Sequence, residues 1–182
     1  MPDIRSAWEI AQEKASKLGG LSIEEREEQR RDKCRLLGES VADKYLNQHD
    51  VGIIEGELAK YDVSDKELIG RAIIRRLGQA IDLRYPGLLV EISKGILAVQ
   101  NTTITKKLEE ISELFQEYKE AEDKEREEIE KAGGEILHQM RISGSAVSRL
   151  NIRAKDDWGQ KMDQISGPFS DRLNLLKQEL AH

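Results

Sequence analysis

The chain has 182 residues, 35% of them charged and 38% apolar, with aromatics at only 4% and three prolines. That balance leaves enough apolar residues for a core, argues against global disorder and favours helices over sheets. The net charge of −6 argues against a protein that coats nucleic acid, and the single cysteine, Cys34, excludes an intrachain disulfide.

The N-terminus carries Asp3, Glu9 and Glu13 instead of a basic-then-apolar leader, and no apolar run approaches the roughly 20 residues that span a bilayer. A cytoplasmic protein without a membrane segment is expected. Pro2 suits a first helical turn. Ile4, Trp8, Ala11, Ala15 and Leu18 follow at helical spacing, and Gly19-Gly20 stops the run.

Ser22 and Glu25 form a capping box that opens the next helix. Its start, Glu24 to Lys33, is wholly polar and belongs in solvent, with Glu27 and Arg31 one turn apart. A buried face then follows in Cys34, Leu37, Val41 and Tyr45, and Asn47 to Asp50 reads as the exit. Cys34 on that stripe is expected to be a buried, inert thiol.

Residues 51–100 carry the least charge and are expected to form the core. The pattern predicts a short helix over Ile53–Tyr61, and a second capping box at Ser64 and Glu67. Leu68, Ile69, Ala72, Ile73, Leu77, Ala80 and Ile81 cover more than half a helix circumference, so that helix should be buried on several sides. Arg76 falls within the apolar arc and needs a carboxylate or a route to the edge. Pro86 ends one helix and starts another, which carries Leu88, Leu89, Ile92, Ile96 and Val99.

From about Thr102 to Lys131 the chain reads as a long charged helix with a narrow apolar seam: Ile104, Leu108, Ile111, Phe115, Tyr118, then Ile129 and Ala132. Glu122 and Glu125 interrupt the seam, so one continuous coiled coil is not expected there. Gly133-Gly134 should end or kink the run. Ile136–Arg141 reads as a short helix, and Ser143–Lys155 as a loop. A last helical region is expected to start near Asp156 or Asp157. Its stripe runs through Trp158, Met162, Ile165, Phe169, Leu173, Leu176 and Leu180, with a kink or break at Gly167-Pro168.

The expectation is therefore an all-α helical bundle of six to eight helices, with a long charged coiled-coil-like helix or helical hairpin. Residues 1–100 would form the core and 101–182 the charged helix, basic loop and C-terminal helices, or all would form one domain. The seam is the leading partner surface, through Ile104, Leu108, Ile111, Phe115, Tyr118 and Ile129, in a protein that binds another protein, including a copy of itself. The competing reading is an intrachain hairpin, with Trp158–Leu180 or Cys34–Tyr45 folded onto the seam.

Three further sites follow from the residues. Arg141, Ser143, Ser145, Arg149, Arg153 and Lys155 lie in a loop with no acidic residue, a composition suited to a phosphate or carboxylate. The same loop would equally dock on the chain's own acidic helix. Glu135 and His138 share a helix face at the spacing used in carboxylate di-metal bundles, but a second such pair is missing.

The stretch Glu57–Leu77 resembles a helix-turn-helix regulator in Leu58, Ala59, Val63, Leu68, Ala72, Ile73 and Leu77. Its turn is one residue short and lacks the usual Gly. Its reading face would carry Glu67, Gly70 and Ile74 beside Lys66 and Arg71, a poor surface for phosphates. A DNA-binding regulator and a small-ligand or metal-binding bundle thus stand as alternatives. No catalytic elbow, phosphate loop, dinucleotide fingerprint or zinc spacing is present, so no catalytic residue, metal or cofactor is assigned.

Overall fold

The computed structural model describes residues 22–99, 104–139 and 156–180. They form six helices: α1 (Ile23–Gln48), α2 (Val51–Leu58), α3 (Val63–Ala80), α4 (Pro86–Leu97), α5 (Ile104–Gln139) and α6 (Asp156–Leu180). No strand occurs among the described residues, so the class is all-α, with long helices as the periodicity predicts.

Helix α1 opens on the expected capping box. The Ser22 hydroxyl accepts from the Glu25 N–H at 3.1 Å, and the Glu25 carboxylate accepts from the Ser22 N–H at 2.7 Å. The polar first turns stay exposed, and burial begins at Cys34. The helix ends where His49 takes a left-handed conformation, with φ 53°. Asp50 then caps α2 by accepting from the Gly52 N–H. This cap starts α2 at Val51, earlier than the apolar pattern alone predicts.

The start of α3 also differs from expectation. Asp62, not Ser64, is the cap, and its carboxylate accepts from the Asp65 N–H at 2.9 Å. A charged acceptor two residues upstream starts the helix sooner, which leaves Ser64 inside the first turn and Glu67 free to pair with Arg71.

Helices α1 and α3 run parallel, because their contacts climb both in the same order. Arg30 pairs with Asp65 at 2.5 Å, Gly38 lies against Ile69 and Ala72, and Asp43 pairs with Arg76 at 2.8 Å. The last of these is the carboxylate that Arg76 needs. A Cβ added at Gly38 would stand 2.6 Å from the Ile69 carbonyl oxygen, so this crossing is nearly backbone on backbone. Helix α3 also touches α2, α4 and α6, as its broad apolar arc requires.

Pro86 is the first residue of α4. From α4, Gly95 receives the ring of Tyr45, whose hydroxyl donates to the Glu91 carbonyl. Helices α5 and α6 form an antiparallel hairpin. Lys107 pairs with Glu179, Glu117 with Arg172 at 2.6 Å, and Glu125 with Lys161 at 2.7 Å. Between these pairs Tyr118 meets Phe169 edge to face, with centroids 5.5 Å apart.

Neither hairpin helix ends at the positions where the sequence suggests an end or a kink. Helix α5 passes through Gly133-Gly134 and takes in Ile136 to Gln139. A glycine costs a helix interior only about 1 kcal/mol, which 36 residues of helix absorb. Helix α6 runs through Pro168, where a single backbone donor is lost while Phe169 and Leu173 hold the helix to its neighbours. One apolar cluster joins all six helices, with Tyr45, Ile54, Ile73, Ile92, Ile111 and Leu114 fully buried in it. The first half of the chain and the hairpin thus share a core.

Candidate functional site

Of the seam residues, Ile104, Leu108, Ile111, Phe115 and Ile129 are buried, and Tyr118 is half-buried against Phe169. Helix α6 packs along α5, and α4 also touches α5, whereas α1 does not. The hairpin with the C-terminal helix is therefore the arrangement found, and the fold with Cys34–Tyr45 laid on the seam is not. The seam is also wider than the spacing suggests, because Leu114 is fully buried. Further along, Ala132 is exposed and Gly133 is buried in its place. Glu125, inside the interrupted stretch, receives Lys161 from α6.

The basic loop with Arg141, Ser143, Ser145, Arg149, Arg153 and Lys155 lies outside the described residues. Glu135 and His138 are both exposed on α5. Among the described residues no three His, Cys, Asp or Glu side chains are grouped as a metal ion would need. The Cys34 thiol is buried, donates to Asp65 at 3.7 Å, and is pushed up in pKa by burial and by that carboxylate. Such a thiol stays protonated and is a poor nucleophile.

On α3, Gly70 and Ile74 are buried, while Lys66, Glu67 and Arg71 are exposed. The helix that would read DNA is thus the central helix of the fold, and Arg71 is engaged by Glu67 at 2.6 Å.

Two features stand out that the spacing did not single out. The first is a groove of about 480 Å³ between the α3–α4 turn and α6. One wall is the turn Asp82–Arg84. There Asp82 is clamped by its neighbour: its carboxylate accepts from the Arg84 N–H at 2.9 Å and from the guanidinium at 2.6 and 3.1 Å. The Arg84 side chain, the largest influence, holds the Asp82 carboxyl down to about 2. Arg84 also lies over the Tyr85 ring, 5.7 Å from its centroid.

The facing wall is a polar stripe on α6: Asp163, Ser166, Ser170, Asn174 and Lys177. These residues recur at steps of three and four, the signature of one helix face. Beside them run the apolar residues that hold α6 to the core, Phe169, Leu173, Leu176 and Leu180. A run of Ser and Asn at seam spacing in a chain rich in Glu and Lys was the available signal. Lys177 is half-buried, and burial pushes its ammonium down from the usual lysine pKa, with Asp82 opposing the shift. Its amine makes no hydrogen bond or ion pair among the described residues.

The second feature is the outer face of α4. Pro86, Val90 and Leu97 lie on one stripe of that helix, opposite Ile92 and Gly95. Val90 is 59% exposed and Leu97 46%. Glu91 and Lys94 flank this stripe and pair at 2.8 Å. No protein-family model, curated protein or solved structure matches the chain.

Proposed function

We propose that the protein is a helical protein-binding module that pairs with a second copy of itself through the outer face of α4. The observation that carries this reading is the uncovered stripe of Pro86, Val90 and Leu97. The chain buries most of the long seam of α5 internally, and α4 sets two large exposed apolar side chains, Val90 and Leu97, on one stripe, whereas those exposed on the other helices, such as Leu36, Ile136 and Leu175, stand singly. Run antiparallel about a two-fold axis near Ser93, α4 brings Val90 against Leu97 of the copy. The same arrangement brings Glu91 of one chain near Lys94 of the other, so apolar groups and opposite charges meet together. A face of this length makes a small interface, and the association is expected to depend on concentration.

The test is mass in solution by light scattering across a concentration series. The expected result is a monomer–dimer equilibrium that the double variant Val90→Lys with Leu97→Lys shifts to monomer, with an unchanged helical circular dichroism spectrum. A strict monomer at every concentration would sink self-association. A second reading, small-ligand binding, is favoured by the groove beside Lys177.

A further inference from the structure

From the groove between the α3–α4 turn and α6 we infer that this protein binds an oxyanion, a carboxylate or phosphate carried on a small molecule. Lys177, Asn174 and Ser170 would hold it, and Arg84 would face it from the other wall. The inference stands on the groove alone and does not depend on how α4 is used.

The geometry supplies donors without acceptors. Lys177, Asn174 and Ser170 follow one another on one face of α6 and line the cavity. None of the three side chains makes a hydrogen bond among the described residues. Helical side chains lean toward the N-terminus of their helix, which favours placing the Lys177 side chain on the side of Asn174, and both line the groove. That ammonium is half-buried and gains no hydrogen-bond acceptor in exchange. An anion placed beside it would supply one.

The local charges agree. The carboxylate nearest in effect to Lys177 is Asp82, and Arg84 already neutralises it through a forked contact. Asp82, Arg84 and Lys177 together leave one positive charge at this end of the groove, within a chain of net charge −6. Asp163 lines the opposite end, four helical turns and roughly 21 Å away along α6, and does not oppose an anion at Lys177. Tyr118 completes the wall from α5. The groove thus mixes polar side chains with apolar ones, Ile81, Leu83, Met162 and Leu173, and is positive at one end, which suits a small molecule with an anionic head and an uncharged, partly apolar remainder.

The experiment is a titration of the ¹⁵N-labelled full-length chain with inorganic phosphate and, separately, with succinate, followed by amide shifts. Saturating shifts at residues 81–84 and 170–177 are expected with at least one of the two. Saturation by phosphate alone assigns a phosphorylated ligand, and saturation by succinate assigns a carboxylate. Lys177→Met should weaken that binding at least about tenfold, while its melting temperature stays equal or rises, because a half-buried charge has been removed. If Lys177→Met fails to fold, Lys177→Gln carries the same comparison. Shifts that grow linearly without saturating, or that persist unchanged in the Lys177 variant, would overturn the inference.

Discussion

The ring of Tyr45 occupies the space that any side chain on Gly95 would take. A Cβ at Gly95 would stand 2.8 Å from Cζ and 2.9 Å from Cδ1 of that ring. Tyr45 has no room to retreat, because it is fully buried and its hydroxyl donates to the Glu91 carbonyl on the same helix. Gly95→Ala therefore overpacks the α1–α4 contact, at a cost of about 1–3 kcal/mol. The gain in helix propensity, about 1 kcal/mol, offsets part of it. The expected net change is a loss of up to about 2 kcal/mol by urea denaturation. Gly56→Ala on α2, where nothing lies within 4 Å, is the control and should gain up to about 1 kcal/mol. Equal effects at the two glycines would show that the Tyr45 contact is not what Gly95 serves.

Leu114 tests whether the seam of α5 is internal in solution. It is fully buried between α5 and its neighbours, as is Ile111. Truncating a buried leucine costs about 2–5 kcal/mol through lost transfer energy and the cavity left behind. Leu114→Ala is expected to lower the melting temperature clearly while leaving the solution mass unchanged. A change in mass with little loss of stability would return the seam to the surface, as an interface between chains.

Local chemistry is legible in the sequence, and of the long-range placements only the hairpin of the seam with Trp158–Leu180 is, as one of two folds the spacing allows. The capping box of Ser22 and Glu25, the helix start at Pro86 and the need of Arg76 for a carboxylate each depend on neighbours in the chain or on the helical period. Periodicity also marked Ile104, Leu108, Ile111 and Phe115 as a buried face, but a period names no partner. Leu114 falls outside that period because a seam of alternating threes and fours is narrower than a face covered from two sides. The starts of α2 and α3 differ from the apolar pattern because Asp50 and Asp62 cap from just outside it. Of the end or kink expected at Gly133-Gly134 and at Gly167-Pro168, the end does not occur, because packing against neighbours and helix length outweigh one or two poor residues. The groove was least legible of all. It exists only because Asp82–Arg84 and Ser170–Lys177, far apart in the chain, face each other across a fold built elsewhere.

Asp82 makes the acid response of this fold specific. Its pKa in the folded chain is about 2, against an ordinary 3.8, chiefly through the Arg84 hydrogen bonds. A carboxyl depressed on folding contributes stability above its unfolded pKa, and that contribution is lost as pH falls through the folded value. The window for Asp82 is therefore between about pH 4 and pH 2. Its side chain is one-third exposed and Arg84 is more so, which limits the contribution to about 1 kcal/mol or less. Glu57 and Glu91 are also depressed, by Lys60 and Lys94, so the wild-type chain loses stability on acidification from several sites. Asp82→Asn keeps the shape of the turn and removes one titrating group. Its stability is expected to start lower at neutral pH and to fall less steeply below pH 4, so that the two denaturation curves converge near pH 2. A constant offset between the curves over that window would show that the Asp82 charge does not titrate against Arg84 and that the turn is held by other contacts.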